Sequence, residues 1–294
     1  MNGLPIDFHT LEVFSAVAEH RNFTDAGKAT GLTQSAVSRR IQDLEKSLGI
    51  RLLDRTTRRV SLTTAGEHWL RETTLMLNQR DTSVREFREI YGSDLPTIRL
   101  GLGETIPYAH LPGVLFGRKS VKLEISTGRD ETLLEKLSEF ELDLAIVSQL
   151  DTMPQNIEIL RTYDDPFILI SPSNSSDISG KSFISLNRKL ETGRKLSRWV
   201  EQNAPGSEIQ IEVDTFDLAI NLVSLGLGSA LVPRRALAVY GKRKQVIRHD
   251  IDPVFSRTVI IAGRKSREQP KHFSEFVNAI LFSDSGGQKS PTED

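Results

Sequence analysis

The segment from residue 8 to residue 70 constrains the fold more than any other part of the chain. It contains three short helical patterns separated by tight turns, then an arginine-rich hairpin, and then the start of a long helix. The second and third patterns meet at Gly31, a position that suits a sharp turn with positive φ. Two helices joined in this way form a helix-turn-helix, whose second helix can enter the major groove of DNA.

Apolar spacing predicts the buried faces of these helices. Thr24 is the expected N-cap of the second helix, with Phe23 as a hydrophobic staple, and Thr33 is the expected N-cap of the third. Gly49 should end the third helix. The buried faces are predicted to be Phe8, Leu11, Phe14 and Ala18 in the first helix, and Val37, Ile41, Leu44 and Leu48 in the third.

The opposite face of the third helix is polar and carries the predicted DNA contacts. Arginine pairs with guanine, and glutamine with adenine, in the major groove. The alternative is that this face is only the solvated side of a surface helix. Seven basic residues stand against three acidic ones between Gln34 and Val60, a local net charge of +4 in a chain of net charge −1, which favours phosphate binding. The predicted DNA-binding residues are Thr24, Thr33, Gln34, Ser35, Ser38, Arg39, Gln42, Arg55, Arg58 and Arg59.

The hairpin after the third helix is interpreted as a wing. Two short strands are predicted, at 52–53 and 60–62, around an arginine-rich tip. An arginine at such a tip can enter the minor groove or hold a phosphate. Arg55 has a second open interpretation, in which it pairs with Asp54 or with a helix end.

A long helix should begin after Thr63 and run to about Tyr91. Its apolar stripe repeats every seven residues, which is typical of a helix that needs a partner helix. One interpretation is that the stripe packs on its own chain. The other is that it pairs with a second copy, because leaving Trp69 and Met76 exposed is unfavourable. The predicted dimerisation residues are Trp69, Leu70, Thr73, Met76, Leu77, Val84, Phe87 and Tyr91.

Composition excludes several functional classes. The chain has 294 residues and no cysteine, which excludes disulfides and thiol-based redox sensing. Its six histidines lack metal-ligand spacing, so no metal is expected. No stretch is apolar enough to span a membrane, and the N-terminus has no export signal, so we expect a cytoplasmic protein.

Beyond residue 96 strands alternate with helices, which predicts a mostly parallel sheet with helices on its faces. A hinge is expected at residues 92–96 and a disordered tail at residues 283–294. The predicted strands are 97–102, 121–126, 142–147, 167–170, 183–185, 209–213, 230–233 and 258–262. The predicted helices are 108–116, 131–140, 190–203, 218–225 and 272–282.

The N-terminal residues TQSAVSRRIQDLEKSLGIRLLDRTTRRVSLTTAG resemble, nearly position for position, the DNA-binding segment of LysR-type transcriptional regulators. LDLAI at 142–146 and GLGSALVP at 226–233 resemble landmarks of the effector-binding domain of that family. The resemblance implies an α plus α/β chain: a winged helix-turn-helix, a linker helix paired antiparallel with its twin, and a two-lobed domain like periplasmic binding proteins. It also implies that Arg58 enters the minor groove.

The domain boundaries expected from this resemblance are residues 1–62 for the winged helix-turn-helix and 63–91 for the linker helix. The first lobe should comprise residues 97–165 and 264–282, and the second lobe residues 166–263. We expect the chain to cross between lobes near 163–166 and again near 262–265, so that the final helix returns to the first lobe.

The ligand of such a domain should lie at the carboxyl ends of the strands. The candidate effector-binding residues there are Thr105, Gly128, Arg129, Ser148, Thr215 and Phe216. Hydroxyls and helix N-termini suit a small organic anion. Two observations leave alternatives open. Thr105 and Thr215 could simply cap helices, and Glu104 would repel an anion unless Arg129 neutralises it or the effector carries an amine.

We therefore expect a LysR-type regulator that is not an enzyme and needs no cofactor apart from its effector. Its expected partners are promoter DNA, further copies of itself in a dimer or tetramer, and RNA polymerase at activated promoters. The alternative is a cytoplasmic solute-binding or enzymatic α/β domain with an accessory DNA-binding module. The sequence has no glycine-rich phosphate loop, nucleophile elbow or paired-carboxylate motif that would favour the enzyme.

Overall fold

The computed structural model describes residues 6–56, 59–92, 95–106, 121–173, 182–239, 246–265 and 271–280. Contacts divide the chain into two compact units, Met1–Ser93 and Asp94–Asp294. The predicted helix at 108–116 and the tail at 283–294 lie outside the described residues. None of the described helices is long and apolar enough to cross a membrane.

The first unit is a winged helix-turn-helix followed by a long helix. Its elements are α1 (Phe8–His20), α2 (Phe23–Thr30), α3 (Gln34–Leu48), β1 (Leu53–Thr56), β2 (Arg59–Leu62) and α4 (Thr64–Tyr91). Gly31 and Gly49 end α2 and α3 with φ of 70° and 68°, as predicted. Thr33 and Thr63 cap α3 and α4 through their side-chain oxygens, also as predicted. The first two helices pack on α3 around Phe14, Val37 and Ile41.

Two local predictions in this unit were wrong. The N-cap of α2 is Asn22, whose side-chain oxygen accepts from the backbone N–H groups of Thr24 (2.7 Å) and Asp25 (3.3 Å). Asparagine caps as well as threonine does, and it lies two residues earlier. Phe8 is half exposed instead of buried, and its ring packs under the guanidinium of Arg80 on α4, 5.2 Å from its carbon, instead of entering the core.

The second unit is a two-lobed α/β domain. In chain order its elements are β3 (Thr97–Gly103), β4 (Lys122–Gly128), α5 (Asp130–Ser138), β5 (Leu144–Ser148), β6 (Ile157–Pro172), β7 (Ser182–Leu186), α6 (Glu191–Asn203), β8 (Glu208–Val213), α7 (Phe216–Ser224), β9 (Ser229–Pro233), α8 (Arg234–Val239), β10 (Val246–His249), β11 (Ser256–Arg264) and α9 (Lys271–Ala279). The strands lie in the order β4-β3-β5-β11-β6-β9-β7-β8, and β10 pairs with β6.

Strand β6 joins the lobes. Its N-terminal half pairs antiparallel with β11, whereas its C-terminal half pairs with β9 and β10. The first crossing therefore occurs within β6, at the predicted place. Helix α9 packs Phe273, Phe276 and Val277 onto the sheet of the first lobe, so the chain does return to that lobe.

The second crossing lies earlier than predicted. Strand β11 begins at Ser256, and its residues Val259–Gly263 pair with β5 of the first lobe. The predicted crossing at 262–265 is therefore wrong, and residues 256–263 belong to the first lobe. The apolar run that suggested a second-lobe strand is instead a central strand, buried on both faces of the first-lobe sheet.

A buried carboxylate holds the far end of the first-lobe sheet. The side chain of Asp143 has no exposure and accepts from Nη2 of Arg99 at 2.8 Å and from the backbone N–H of Arg99 at 2.9 Å. Nη2 of Arg264 lies 3.7 Å from the same carboxylate. The loop before β5 is thereby tied to β3 and β11.

Asp143→Ala should lower the free energy of unfolding of the second unit by roughly 3 kcal/mol, because the guanidinium groups of Arg99 and Arg264 lose the carboxylate that they share. Urea unfolding checks this, with Asp151→Ala as the control. Asp151 is 87 % exposed and pairs with Lys195 at 3.7 Å, so its removal should have little effect. Equal losses in the two variants would contradict this role for Asp143.

Candidate nucleic-acid interface and interlobe cleft

Helix α3 is held by the tight packing of the turn before it. A Cβ atom added to Gly27 of α2 would lie 2.6 Å from the carbonyl oxygen of Leu32, so only glycine allows this approach. Sequence reasoning missed Gly27, although a glycine inside a helix pattern is a recognised sign of close backbone contact. Thr33 then accepts from the backbone N–H of Ala36 at 3.3 Å and starts the helix.

The outer face of α3 is polar and open. Val37, Ile41 and Leu44 are buried against α1 and α2. Ser38 is partly exposed on the other side. Six of the residues predicted to contact DNA are exposed in this region: Thr24, Thr33, Gln34, Ser35, Arg39 and Gln42. The predicted face therefore exists as a surface, and its N-terminal turn carries short hydroxyls that allow a close approach.

Two charged residues in and around α3 serve the fold instead of the DNA-facing surface. Nη1 of Arg40 donates to Oγ1 of Thr10 (3.0 Å) and to the Asp7 carboxylate (3.2 Å), which pins α3 to the start of α1. Hydrogen bonds from Thr10, with a smaller effect of Arg40, lower the pKa of Asp7. Glu45 accepts from the backbone N–H groups of Leu52 and Leu53 at 2.8 and 3.1 Å and anchors the wing to α3.

The wing is an antiparallel hairpin, and its strands are longer than predicted. Arg55 lies opposite Val60, and Thr56 lies opposite Arg59. Arg58 lies outside the described residues, so its assignment to the minor groove stays a prediction. A Cβ on Gly66 of α4 would lie 2.0 Å from the carbonyl oxygen of Leu52, so the base of the wing and α4 are in direct backbone contact.

The apolar stripe of α4 divides into two parts. Trp69 and Leu70 pack partly on the core of their own unit, and Thr73 is fully buried. Met76 and Leu77 are partly buried. Toward the C-terminal end of α4, Val84, Phe87, Ile90 and Tyr91 are 46–75 % exposed. The chain itself therefore covers the first part of the predicted seam and leaves the last part open.

In the second unit, the carboxyl ends of the strands converge on the guanidinium of Arg257. Nη1 of Arg257 donates to Oγ1 of Thr105 at 2.6 Å and to Oγ of Ser148 at 3.4 Å. Nη2 donates to the carbonyl oxygen of Thr105 at 3.2 Å. Nε and Nη2 both lie 2.9 Å from the Asp165 carboxylate. Only 5 % of the Arg257 side chain is exposed.

Two aromatic rings complete the surroundings of Arg257. The guanidinium carbon lies 5.6 Å from the ring centre of Phe167 and 5.5 Å from that of Phe216, both within cation–π range. Phe216 begins α7 in the second lobe, whereas Thr105 and Ser148 belong to the first. The guanidinium therefore bridges the two lobes.

Asp130 is a second, mostly buried carboxylate at this site. It begins α5 and accepts from the backbone N–H of Ser148 at 3.2 Å. A Cβ atom on Gly103 would lie 2.0 Å from its Oδ1, so glycine there makes room for the carboxylate. Burial raises the pKa of Asp130 to about 6, against the opposing effects of Arg257 and the Ser148 hydrogen bond.

A small cavity of about 20 Å³ remains beside this cluster, which is enough for about one water molecule. It lies between the start of α5 in the first lobe and the start of α6 in the second. Its lining is Glu104, Thr105, Arg129, Asp130, Glu131, Leu150, Leu190, Glu191 and Thr192. Residues of both lobes therefore line the cavity.

Of the six predicted effector-binding residues, the structure brings Thr105, Ser148 and Phe216 together around Arg257, and Arg129 lies at the cavity. Thr215 caps α7 by accepting from the N–H of Leu218 at 3.3 Å, which was the alternative interpretation. Gly128 ends β4, and a Cβ there would make only ordinary contact. Sequence reasoning missed Arg257, Asp165 and Asp130, because no spacing pattern links these three residues in the sequence.

The model of the bacterial regulatory helix-turn-helix proteins of the lysR family matches residues 8–67, and the LysR substrate binding domain matches residues 92–282. The chain is 29 % identical over 287 residues to a probable hydrogen peroxide-inducible genes activator of Streptomyces viridosporus, covering 92 % of each. It is 28 % identical over 280 residues to the transcriptional regulator YofA of Bacillus subtilis, covering 92 % of this chain and 96 % of YofA.

Two solved structures show the same fold. Full-length OxyR from Pseudomonas aeruginosa, in a point-substituted form, has a TM-score of 0.66 at 22 % identity, covering 94 % of both chains. Full-length CbnR complexed with its target DNA has a TM-score of 0.67 at 20 % identity, covering 94 % of this chain and 99 % of that one.

A winged helix-turn-helix with an open polar α3, joined to a two-lobed α/β domain, defines a DNA-binding transcriptional regulator that carries a ligand-binding domain. The chain belongs to the LysR family, since the substrate-binding model alone matches most of it.

The pKa of Asp130 predicts a pH dependence of stability. The folded-state pKa of about 6 lies above the ordinary value of 3.8, so folding favours the neutral acid. The contribution of the neutral Asp130 to the free energy of unfolding is fully present below about pH 4 and is lost as the pH rises through about 6. Between about pH 5 and about pH 7.5 the loss should be roughly 1 kcal/mol. Asp130→Asn should remove it, and urea unfolding at the two pH values gives the comparison. An identical pH response in the two proteins would show that Asp130 does not titrate in this range.

Proposed function

We propose that this LysR-family regulator binds an interrupted palindromic operator as a dimer or tetramer, and that a small effector in the interlobe cleft changes its contacts with DNA. The exposed polar face of α3 is the observation that carries the DNA-binding part. The other parts rest on the open apolar end of α4 and on the site around Arg257.

The face of α3 suits the major groove for two reasons. Arg39 and Gln42 lie one turn apart, are exposed, and carry side chains that form bidentate pairs with guanine and adenine. Gln34 and Ser35 begin the helix beside the Thr33 cap, where short polar groups and free N–H groups suit a phosphate. The wing carries Arg55 and Arg59 on its strands, and these residues, together with Arg58, would contact the neighbouring backbone or minor groove.

The C-terminal end of α4 suits a second copy of the same helix. Val84, Phe87 and Tyr91 share one face, and the ring centres of Phe87 and Tyr91 are 4.8 Å apart. Large apolar side chains exposed this far are unfavourable in water and are covered when two antiparallel helices pair. Pairing would place two α3 helices over two half-sites and link two weak contacts.

The interlobe cleft suits effector control because both lobes contribute to one buried site. A ligand that binds the open and closed arrangements with different affinities shifts their populations and therefore the geometry of the DNA-bound assembly. At activated promoters such a change would be passed to RNA polymerase.

Arg39→Ala should weaken operator binding by roughly 1–3 kcal/mol and relax sequence preference at one position of each half-site, since one bidentate base contact is lost. Gel shift with competitor DNA measures both effects. Arg198→Ala is the matched control, because Arg198 is an exposed arginine on α6 of the second unit. An unchanged footprint for Arg39→Ala would refute the assignment of α3.

Val84→Glu together with Phe87→Glu should dissociate the dimer, because two carboxylates would enter the apolar seam. Both positions are exposed within the chain, so the monomer should still fold. Sedimentation velocity gives the mass, and operator affinity should fall with it. The control is Gln79→Glu with Ser83→Glu, two exposed polar positions of the same helix. If both double variants sediment like the unmodified protein, the helix does not form the dimer contact.

A further inference from the structure

The floor of the interlobe cleft has the chemistry of a site for a guanidinium ion. Two hydroxyls, one backbone carbonyl and one carboxylate accept its N–H groups, and two aromatic faces flank it. These groups come from the turn after β3, the end of β5, strand β6 and the start of α7. Carboxylates, acceptor oxygens and aromatic faces are the usual components of cation recognition.

Arg257 itself occupies this floor. It extends from β11 of the first lobe, and each of its three guanidinium nitrogens donates to Thr105, Ser148 or Asp165. An entering carboxylate would have to compete with Asp165, which holds Arg257 through two contacts of 2.9 Å.

The charges around the remaining cavity also disfavour an anion. Four carboxylates line it, those of Glu104, Asp130, Glu131 and Glu191, against the single guanidinium of Arg129. Glu191 is paired with Lys195 on α6, which leaves the excess on the first-lobe side.

The second oxygen of the Asp165 carboxylate is a further acceptor in the floor, beside the four that Arg257 uses. The side chain of Asp165 has no exposure, and among the described residues its Oδ1 has no hydrogen-bond partner. Nε of Arg235 forms an ion pair with that oxygen at 4.0 Å, a separation beyond hydrogen-bond distance. A buried carboxylate oxygen left in this way favours an additional N–H donor.

We propose that the interlobe cleft is a cation site that Arg257 itself fills in the described arrangement, and that the effector presents a guanidinium or ammonium group in its place. This inference rests on the proposed effector control of DNA binding. It replaces the small organic anion expected from the sequence with a cationic small molecule.

Displacement of Arg257 would uncouple the two lobes. In the described arrangement one guanidinium joins Thr105 and Ser148 of the first lobe to Phe216 of the second. An external cation can occupy the same acceptors without being tied to β11. The closed arrangement would then depend on the shape of the effector instead of on the chain's own side chain.

The test removes Arg257 and supplies its head group. In Arg257→Ala, about 10 mM methylguanidinium chloride should raise the melting temperature by about 3 °C relative to sodium chloride of equal ionic strength, as expected for a ligand well above its Kd. Sodium propionate, an anion of similar size, should not raise it. Arg198→Ala and the unmodified protein should show no such shift. Equal shifts in all three proteins, or none in Arg257→Ala, would overturn the proposal.

A second measurement tests the effector class in the unmodified protein. At about 100 mM methylguanidinium the ion should compete with the tethered Arg257 and change the operator footprint, whereas sodium propionate of equal ionic strength should not. A footprint that responds only to propionate, or to neither salt, would contradict the cation site.

If Arg257→Ala precipitates, the refolding yield is measured instead of the melting temperature. A higher yield in methylguanidinium chloride than in sodium chloride supports the proposal, and equal yields contradict it. Operator binding in sodium chloride distinguishes failure of the cation site from failure of the proposed function. If the unmodified protein does not bind an operator, the proposed function is refuted. If it binds normally but methylguanidinium has no effect, only the cation site is refuted.

Discussion

The buried guanidinium of Arg257 is the contact on which the geometry of the second unit depends, because it is shared by residues of both lobes. An arginine with only 5 % of its side chain exposed must satisfy its N–H groups within the protein, since an unpaired buried charge is strongly unfavourable. Thr105, Ser148 and Asp165 provide those acceptors only when the strand ends lie close together.

The first unit depends on a different constraint, which is close backbone contact. Gly27 and Gly66 stand where a single Cβ atom would collide with a carbonyl oxygen, at 2.6 and 2.0 Å. One contact fixes the turn before α3, and the other fixes the base of the wing against α4. Because backbone contacts leave little freedom, the polar face of α3 and the wing keep a fixed relation to the start of the long helix. Two such units, joined through α4, would present their recognition helices at a defined spacing.

The sequence predicted this first unit closely because its signals are local. Helical periodicity, threonine caps at Thr33 and Thr63, and left-handed glycines at Gly31 and Gly49 each depend on a few neighbouring residues. The errors were also local: Asn22 supplies the cap expected from Thr24, and Phe8 turns toward Arg80.

The interlobe site was predicted only in part, because its chemistry depends on contacts between distant segments. Thr105 and Ser148 were predicted from their positions at strand ends, and both lie at the site. Arg257 is separated from Thr105 by 152 residues and lies in a strand with no motif around it. Strand β6 was predicted only from residue 167, since Arg161, Asp164 and Asp165 interrupt its apolar pattern, and one of those charges proves to be the partner of Arg257.

The central claim is that two copies of α3 contact one operator as a symmetric pair. Selection of bound fragments from random DNA by the full chain, followed by hydroxyl-radical footprinting, tests it most directly. The account predicts a palindromic motif with protected half-sites on one face of the duplex, their centres separated by a whole number of helical turns of about 10.5 base pairs. A motif without dyad symmetry, or a footprint confined to a single half-site, would contradict it.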